Sequence, residues 1–162
     1  MELWDAYDRD GRRTGGVLIR GEAIPEGLYH LVSEVLVRHT DGSYLLMKRS
    51  RLKPNYPGFY EATAGGSSLM GEDSLACARR ELREETGLSG ISFTEVGRHC
   101  SRDTHYVCYL CITDAPRDAV RLQEGETEGF RWVTAEEFRA FMRSGEAISV
   151  QVDRWRRYLQ QL

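Results

Sequence analysis

The chain has 162 residues, of which 41% are hydrophobic and 29% charged, and its formal net charge is -3. That length accommodates one domain with a sizeable core. The weak acidity excludes a binder that engages nucleic acid through an overall basic surface, and no stretch reaches the roughly 18–20 apolar residues of a membrane-spanning helix.

The first residues, Met1-Glu2-Leu3-Trp4-Asp5, lack a basic region followed by an apolar run, so no signal peptide is expected and the expected location is cytoplasmic. Residues 1–28 are polar and Gly-rich, and Asp10-Gly11 and Gly15-Gly16 signal turns, which predicts a hairpin-like extension. His30 to Val37 is rich in Leu and Val and reads as a strand. Asp41-Gly42 marks a tight turn into a return strand, Tyr44 to Lys48. Pro54 and Pro57-Gly58 break the chain into a loop, and Phe59 to Ala64 reads as a short strand ended by Gly65-Gly66.

Asp73 to Thr86 is rich in strong helix formers, and Gly87 stands where a helix stops. Ile91 to Cys100, Tyr106 to Thr113 and Gly129 to Val133 read as strands. Thr134 followed by Glu137 predicts a capping box, with a helix to about Arg143 ended by Gly145, and Val150 to Leu162 reads as a last amphipathic helix. This order predicts an α/β (α+β) fold with a mixed sheet between helices, in a single domain spanning 1–162 with C-terminal helices in 134–162.

Cys108 and Cys111 have the spacing of a metal or redox pair. On a strand, residues three apart point to opposite faces, so buried, reduced thiols are expected instead. Trp4, Trp132 and Trp155 read as packing residues, and Arg154, Arg156 and Arg157 as a solvated helix face.

At about 100° per residue, Leu75, Ala78 and Leu82 form one apolar stripe on the Asp73–Thr86 helix. Glu81, Glu84 and Glu85 share the neighbouring face. Carboxylates crowded at the rim of a core repel one another unless a cation neutralises them, and hard divalent cations prefer such oxygens. Taken alone, the three glutamates read more simply as a solvated face, with Arg80 and Glu84 as an i, i+4 pair. The flanking residues reverse that reading. Gly66, five residues, Glu72, seven residues, Arg80-Glu81-Leu82, one residue, Glu84-Glu85, one residue and Gly87-Leu88 follow in order. At average residue usage such a match arises by chance at roughly one start position per billion or fewer.

This segment resembles the complete signature of the Nudix hydrolase superfamily. The resemblance implies a Nudix-type α/β/α sandwich and hydrolysis of a diphosphate linkage in a nucleoside diphosphate derivative, with Mg²⁺, or Mn²⁺, as cofactor. It implies Glu84 and Glu85 as main metal ligands, and Glu81 as a residue that binds metal or orients or deprotonates the attacking water. Gly65 would offer its carbonyl to metal, and Arg80 would hold the glutamates through ion pairs. Glu72 would brace the loop–helix junction, with Gly66 and Gly87 structural. Relatives often draw a further ligand or base from a later loop, for which Glu124, Glu126 and Glu128 are alternatives. The expected partner is a small-molecule diphosphate, with no nucleic acid and no membrane. Dimers are common among relatives, which leaves a homodimer open without a residue-level signal.

Arg49-Ser50, Lys53 and Pro57-Gly58, with Tyr29-His30-Leu31, are similar to segments of isopentenyl-diphosphate isomerases, a branch of the same fold. There the matching Arg and Lys grip the substrate's diphosphate, which makes Arg49 and Lys53 candidates for the same task. The isomerase's catalytic cysteine falls at Gly65, one metal-binding histidine falls at Ser67, and another has no counterpart. The resemblance therefore implies isomerase-like architecture with hydrolase chemistry, and His30 reads as an ordinary strand residue. A non-catalytic ligand-binding module is the competing function. Specificity is expected from the N-terminal segment, Ser50 to Tyr60, and Arg98 to His105.

Overall fold

The computed structural model describes residues 1–162. Its main sheet is organised around β3 (His30–His39), where Leu31, Val35, Leu36 and Val37 are buried. One edge of β3 pairs in parallel with β8 (Thr104–Thr113), from His30 opposite Thr104 to His39 opposite Thr113. The other edge is shared. β6 (Thr63–Ser67) lies antiparallel against Val32–Leu36, and β4 (Tyr44–Arg49) joins only where Tyr44 faces Arg38. Beyond that point β4 pairs with β9 (Thr127–Val133) and β5 (Tyr60–Glu61), so the sheet forks. β7 (Ser92–Ser101) closes the far edge against β8.

The two faces of the sheet carry separate cores. On one, α1 (Ser74–Thr86) packs Ala78 and Leu82, with Leu75 at their edge, against Val35, Val37, Val107 and Tyr109. On the other, α2 (Ala135–Arg143) and α3 (Ser149–Leu159) bring Phe138, Phe141, Trp155 and Tyr158 against Leu36, Tyr44 and Leu46. The result is an α/β/α sandwich with a mixed sheet. Cys111 belongs to the first core and Cys108 to the second, as alternation along β8 requires. Burial pushes both thiols up to about 12, so neither is a ready thiolate.

The helix ends follow from local chemistry. The Asp73 carboxylate accepts from Ala76 N–H at 2.7 Å and caps α1, and Gly87 ends it in the left-handed region with φ of 71°. At α2 the Thr134 hydroxyl accepts from Glu137 N–H at 3.2 Å, while the Glu137 carboxylate accepts from Thr134 N–H at 2.7 Å.

β1 (Leu3–Tyr7) and β2 (Arg13–Ile19) form a separate antiparallel hairpin. It is joined to the body by backbone bonds between Tyr7 and Tyr29 and by a stack of Trp4 on His30, with ring centroids 4.6 Å apart. It also holds the loop before α1. Met70 N–H donates to Leu3 O at 2.8 Å, Gly71 N–H to Asp5 Oδ2 at 2.9 Å, and Arg13 Nη2 to Glu72 O at 2.5 Å. No helix is long and apolar enough to cross a membrane.

Three expectations need correction. Gly65-Gly66 does not end a strand. The expected strand divides into β5 and β6, and both glycines lie inside β6. A Cβ on Gly65 would fall 2.3 Å from Ser33 O, so glycine serves close strand approach here, not a turn. Gly145 does not end α2, because Ser144 already leaves the helix with ψ of 158°. Arg154 is not on a solvated face. Its guanidinium pairs with the buried Glu34 carboxylate on β3, donating from Nε at 2.8 Å, and lies 4.3 Å from the Tyr106 ring centroid. Arg156 and Arg157 are exposed as expected.

Candidate active site

A cavity of about 510 Å³ opens at the fork, lined from β3, β4, β5, β6, α1 and the chain leading into β9. The glycines of β6 form part of its floor. A Cβ on Gly66 would lie 2.6 Å from Glu81 Oε1, so a bare backbone here is what lets the Glu81 carboxylate lie against the strand.

Arg80 organises one wall. Its Nε and Nη2 donate to the two oxygens of Glu72 at 2.7 and 2.9 Å, and Nη2 also donates to Ser67 O at 3.0 Å. Its Nη1 reaches Glu81 Oε1 at 2.6 Å and Glu84 Oε2 at 3.2 Å. One planar guanidinium thus fixes three carboxylates and a strand carbonyl. The bonds from Arg80 hold the Glu72 carboxyl below its ordinary range, and Leu69 N–H adds to them at 3.0 Å.

The deeper carboxylates are shifted the other way. Burial raises the Glu81 pKa; Glu84 and Glu72 add to this, and Arg80 opposes it. Glu85 is pushed well above the ordinary range, first by burial and then by the charges of Glu61 and Glu81. Its hydrogen bond comes from Gly65 N–H at 3.3 Å.

Arg49 and Lys53 line the cavity as well. Arg49 Nη1 donates to Glu61 Oε1 at 3.0 Å, and Lys53 pairs with Glu126. Burial raises the Glu61 pKa, against the pull of Arg49. Of the three late glutamates only Glu126 lines the cavity. Glu128 is drawn off by Lys48 at 2.9 Å and by Arg51, and Glu124 is exposed to solvent.

The cavity therefore collects Gly65, Gly66, Arg80, Glu81, Glu84, Glu85, Arg49, Lys53 and Glu126 from the site residues singled out in the sequence. Sequence reasoning missed Glu61 and Gln151, which line it too. A signal existed for Glu61, a lone acid within Phe59-Tyr60-Glu61-Ala62 just ahead of paired glycines. None existed for Gln151, one polar residue among many on a helix. Of the three segments expected to set specificity, the N-terminal one contributes Glu2, Trp4 and Arg20, and Ser50–Tyr60 contributes Lys53. Arg98–His105 contributes no lining residue, because it forms the β7–β8 turn at the far edge of the sheet.

The family model described as NUDIX domain matches residues 28–152. A Nudix hydrolase of Listeria monocytogenes, lmo0368, is 35% identical over 150 residues, covering 91% of this chain and 89% of that protein. The Nudix hydrolase YfcD of Escherichia coli K12 is 33% identical over 117 residues, covering 70% and 63% respectively. Among solved structures, DR0079 from Deinococcus radiodurans superposes with a TM-score of 0.73 at 21% identity, over 94% of this chain and 98% of that one. The NUDIX domain of Shewanella oneidensis NrtR, complexed with ADP ribose, gives 0.58 at 17% identity, over 81% and 88%. These two likenesses concern the fold, whereas the family match and the relatives concern descent. The chain belongs to the Nudix hydrolase family, enzymes that hydrolyse nucleoside diphosphate derivatives.

Proposed function

We propose that this protein is a Mg²⁺-dependent pyrophosphohydrolase, with Mn²⁺ as a substitute, that cleaves the diphosphate linkage of a nucleoside diphosphate joined to a second polar group. The carrying observation is Glu85, a half-buried carboxylate whose charged neighbours are Glu61, Glu81 and Glu126. Each of those neighbours has a cationic partner, Arg49, Arg80 or Lys53, whereas Glu85 pairs with none, and a carboxylate shielded from water in such company suits a divalent cation. No three of the chain's His, Cys, Asp and Glu side chains converge into a preformed cage. Mg²⁺ does not require one, since it keeps several waters and takes one or two carboxylates. Glu84 and Glu85 would hold the ion, with Glu81, the Gly65 carbonyl and Glu126 within the same cavity. When bound, such a cation neutralises phosphate oxygens and lowers the pKa of the attacking water.

The chain's own residues account for the rest. Glu81, with its raised pKa, is suited to accept the proton of the attacking water. Arg80 keeps Glu81 and Glu84 in register through its paired bonds. Arg49 and Lys53 bind the phosphate oxygens across the cavity. Residues 1–162 act as one Nudix domain, with 1–28 as an N-terminal extension and the helices of 134–162 behind the sheet.

Two observations oppose an allylic-diphosphate isomerase. The apolar residues of the cavity are Trp4, Val32 and Leu69, too few to receive an isoprenyl chain. At position 65, where the isomerase keeps its cysteine, a side chain would run into Ser33 O.

The test is product release from a panel comprising nucleotide sugars, ADP ribose, dinucleoside polyphosphates, nucleoside di- and triphosphates and isopentenyl diphosphate. Mg²⁺-dependent turnover of at least one nucleotide is expected, falling about 100-fold or more in Glu84→Gln. A panel that binds and raises the melting temperature without turnover would replace this reading with a ligand-binding module.

A further inference from the structure

Arg49 is held from two sides. Nη1 donates to Glu61 Oε1 at 3.0 Å, while Nε and Nη2 both donate to the Asn55 carbonyl at 3.1 and 2.9 Å. A guanidinium carries five N–H groups in a fixed plane, so these bonds set its orientation and leave two N–H groups to donate elsewhere. The Arg49 and Glu61 side chains are 16% and 14% exposed, so the pair is largely shielded from competing water.

Glu61 is itself held. Its second oxygen, Oε2, accepts from Gln151 Nε2 at 3.1 Å. Gln151 is buried in the first turn of α3 and also lines the cavity. Glu61 lies on the two-residue strand β5, which pairs only with β4 and has little hold of its own. A largely shielded carboxylate with one oxygen on Arg49 and the other on a helix amide is a connector between α3 and the guanidinium. The family match ends at residue 152, so most of α3 lies beyond the part of the chain that the family model covers.

We propose that Glu61 and Gln151 are positioning residues for Arg49. Glu61 aims the guanidinium at the substrate's diphosphate, and Gln151 makes that aim depend on the seating of α3. Arg49 is the group that touches substrate, and Glu61 and Gln151 act through it. The proposal rests on the hydrolase reading above.

Two measurements on the full chain test it: steady-state kinetics on the substrate found in the panel, and calorimetric affinity for imidodiphosphate with Mg²⁺. Gln151→Leu is expected to raise KM about tenfold with kcat nearly unchanged, the effect of one misplaced charge-assisted hydrogen bond. The affinity for imidodiphosphate weakens by the same factor. Arg49→Ala weakens both further, and adding Gln151→Leu to Arg49→Ala then changes nothing. Independent, additive effects of the two substitutions would overturn the proposal. So would a Gln151→Leu variant that loses melting temperature but keeps its KM, because the amide would then only fasten α3. If Gln151→Leu fails to fold, Glu61→Gln, which preserves shape, carries the same test: its effect on KM must vanish in the Arg49→Ala background. A native chain that neither turns over the panel nor binds imidodiphosphate defeats the hydrolase reading, whereas native activity with additive variants defeats only the positioning role.

Discussion

Arg80 shows how one residue serves the site and the stability of the chain together. Its bidentate bond to Glu72 ties the loop before α1 to the helix that carries the acidic cluster. The Glu72 carboxyl is held below its ordinary pKa, so the pair stabilises the fold fully above the ordinary carboxylate range and loses that contribution as pH falls through the lowered value. Glu72→Gln is expected to cost about 2 kcal/mol at neutral pH. In thermal melts, the gap between native and variant chains should close as the pH drops below about 4. A gap that stayed constant into acid would mean that Glu72 acts through packing, not charge. Arg80, Glu72 and the three helix glutamates could be picked out because their spacing within one short segment is itself the signal. Glu61 and Gln151 could not, since their bond joins positions 90 apart and neither position has a local pattern that demands a partner.

Among the elements, the helices were the most legible. The Thr134 and Glu137 spacing predicted a reciprocal cap, and both of its hydrogen bonds are present. Thr134→Ala is expected to lower stability by about 1 kcal/mol, read as a drop in the denaturation midpoint without a change in slope. Strand ends were less legible, because glycine serves two purposes. Gly65-Gly66 has the look of a turn, yet it lies within β6, where the need is for two backbones and a carboxylate to come close. Arg154 misled for a related reason: a charge on an amphipathic helix is normally solvated, and only the buried Glu34 on a distant strand makes it an interior residue.

For the molecule as a whole, the order of elements was enough to predict a mixed sheet between helices, but the fork was not. β3 pairs with β8 in parallel, with β6 antiparallel and with β4 at a single position, and such long-range choices leave no periodic trace. The fork brings Glu61, Glu81, Glu85 and Glu126 to one cavity, and shielding Glu85 from water beside the other three, with no cation of its own, is a cost to the fold. Mg²⁺ is therefore expected to raise the melting temperature of the chelator-treated protein. The gain should approach about 2.7 kcal/mol at a hundred times the dissociation constant. Glu85→Gln should melt higher than the native chain without metal and respond less to Mg²⁺. An equal response of the two chains would place the ion elsewhere.

The N-terminal hairpin has a practical consequence. Glu2, Trp4 and Arg20 lie at the cavity, Met1 is 98% exposed, and three hydrogen bonds fasten the hairpin to the loop before α1. Anything fused ahead of Met1 thus begins at the mouth of the cavity, on a strand that cannot swing aside without loosening that loop. A purification tag at this end would sit at the mouth of the proposed substrate cavity, and a poly-histidine tag would bring its own metal ligands beside the acidic cluster.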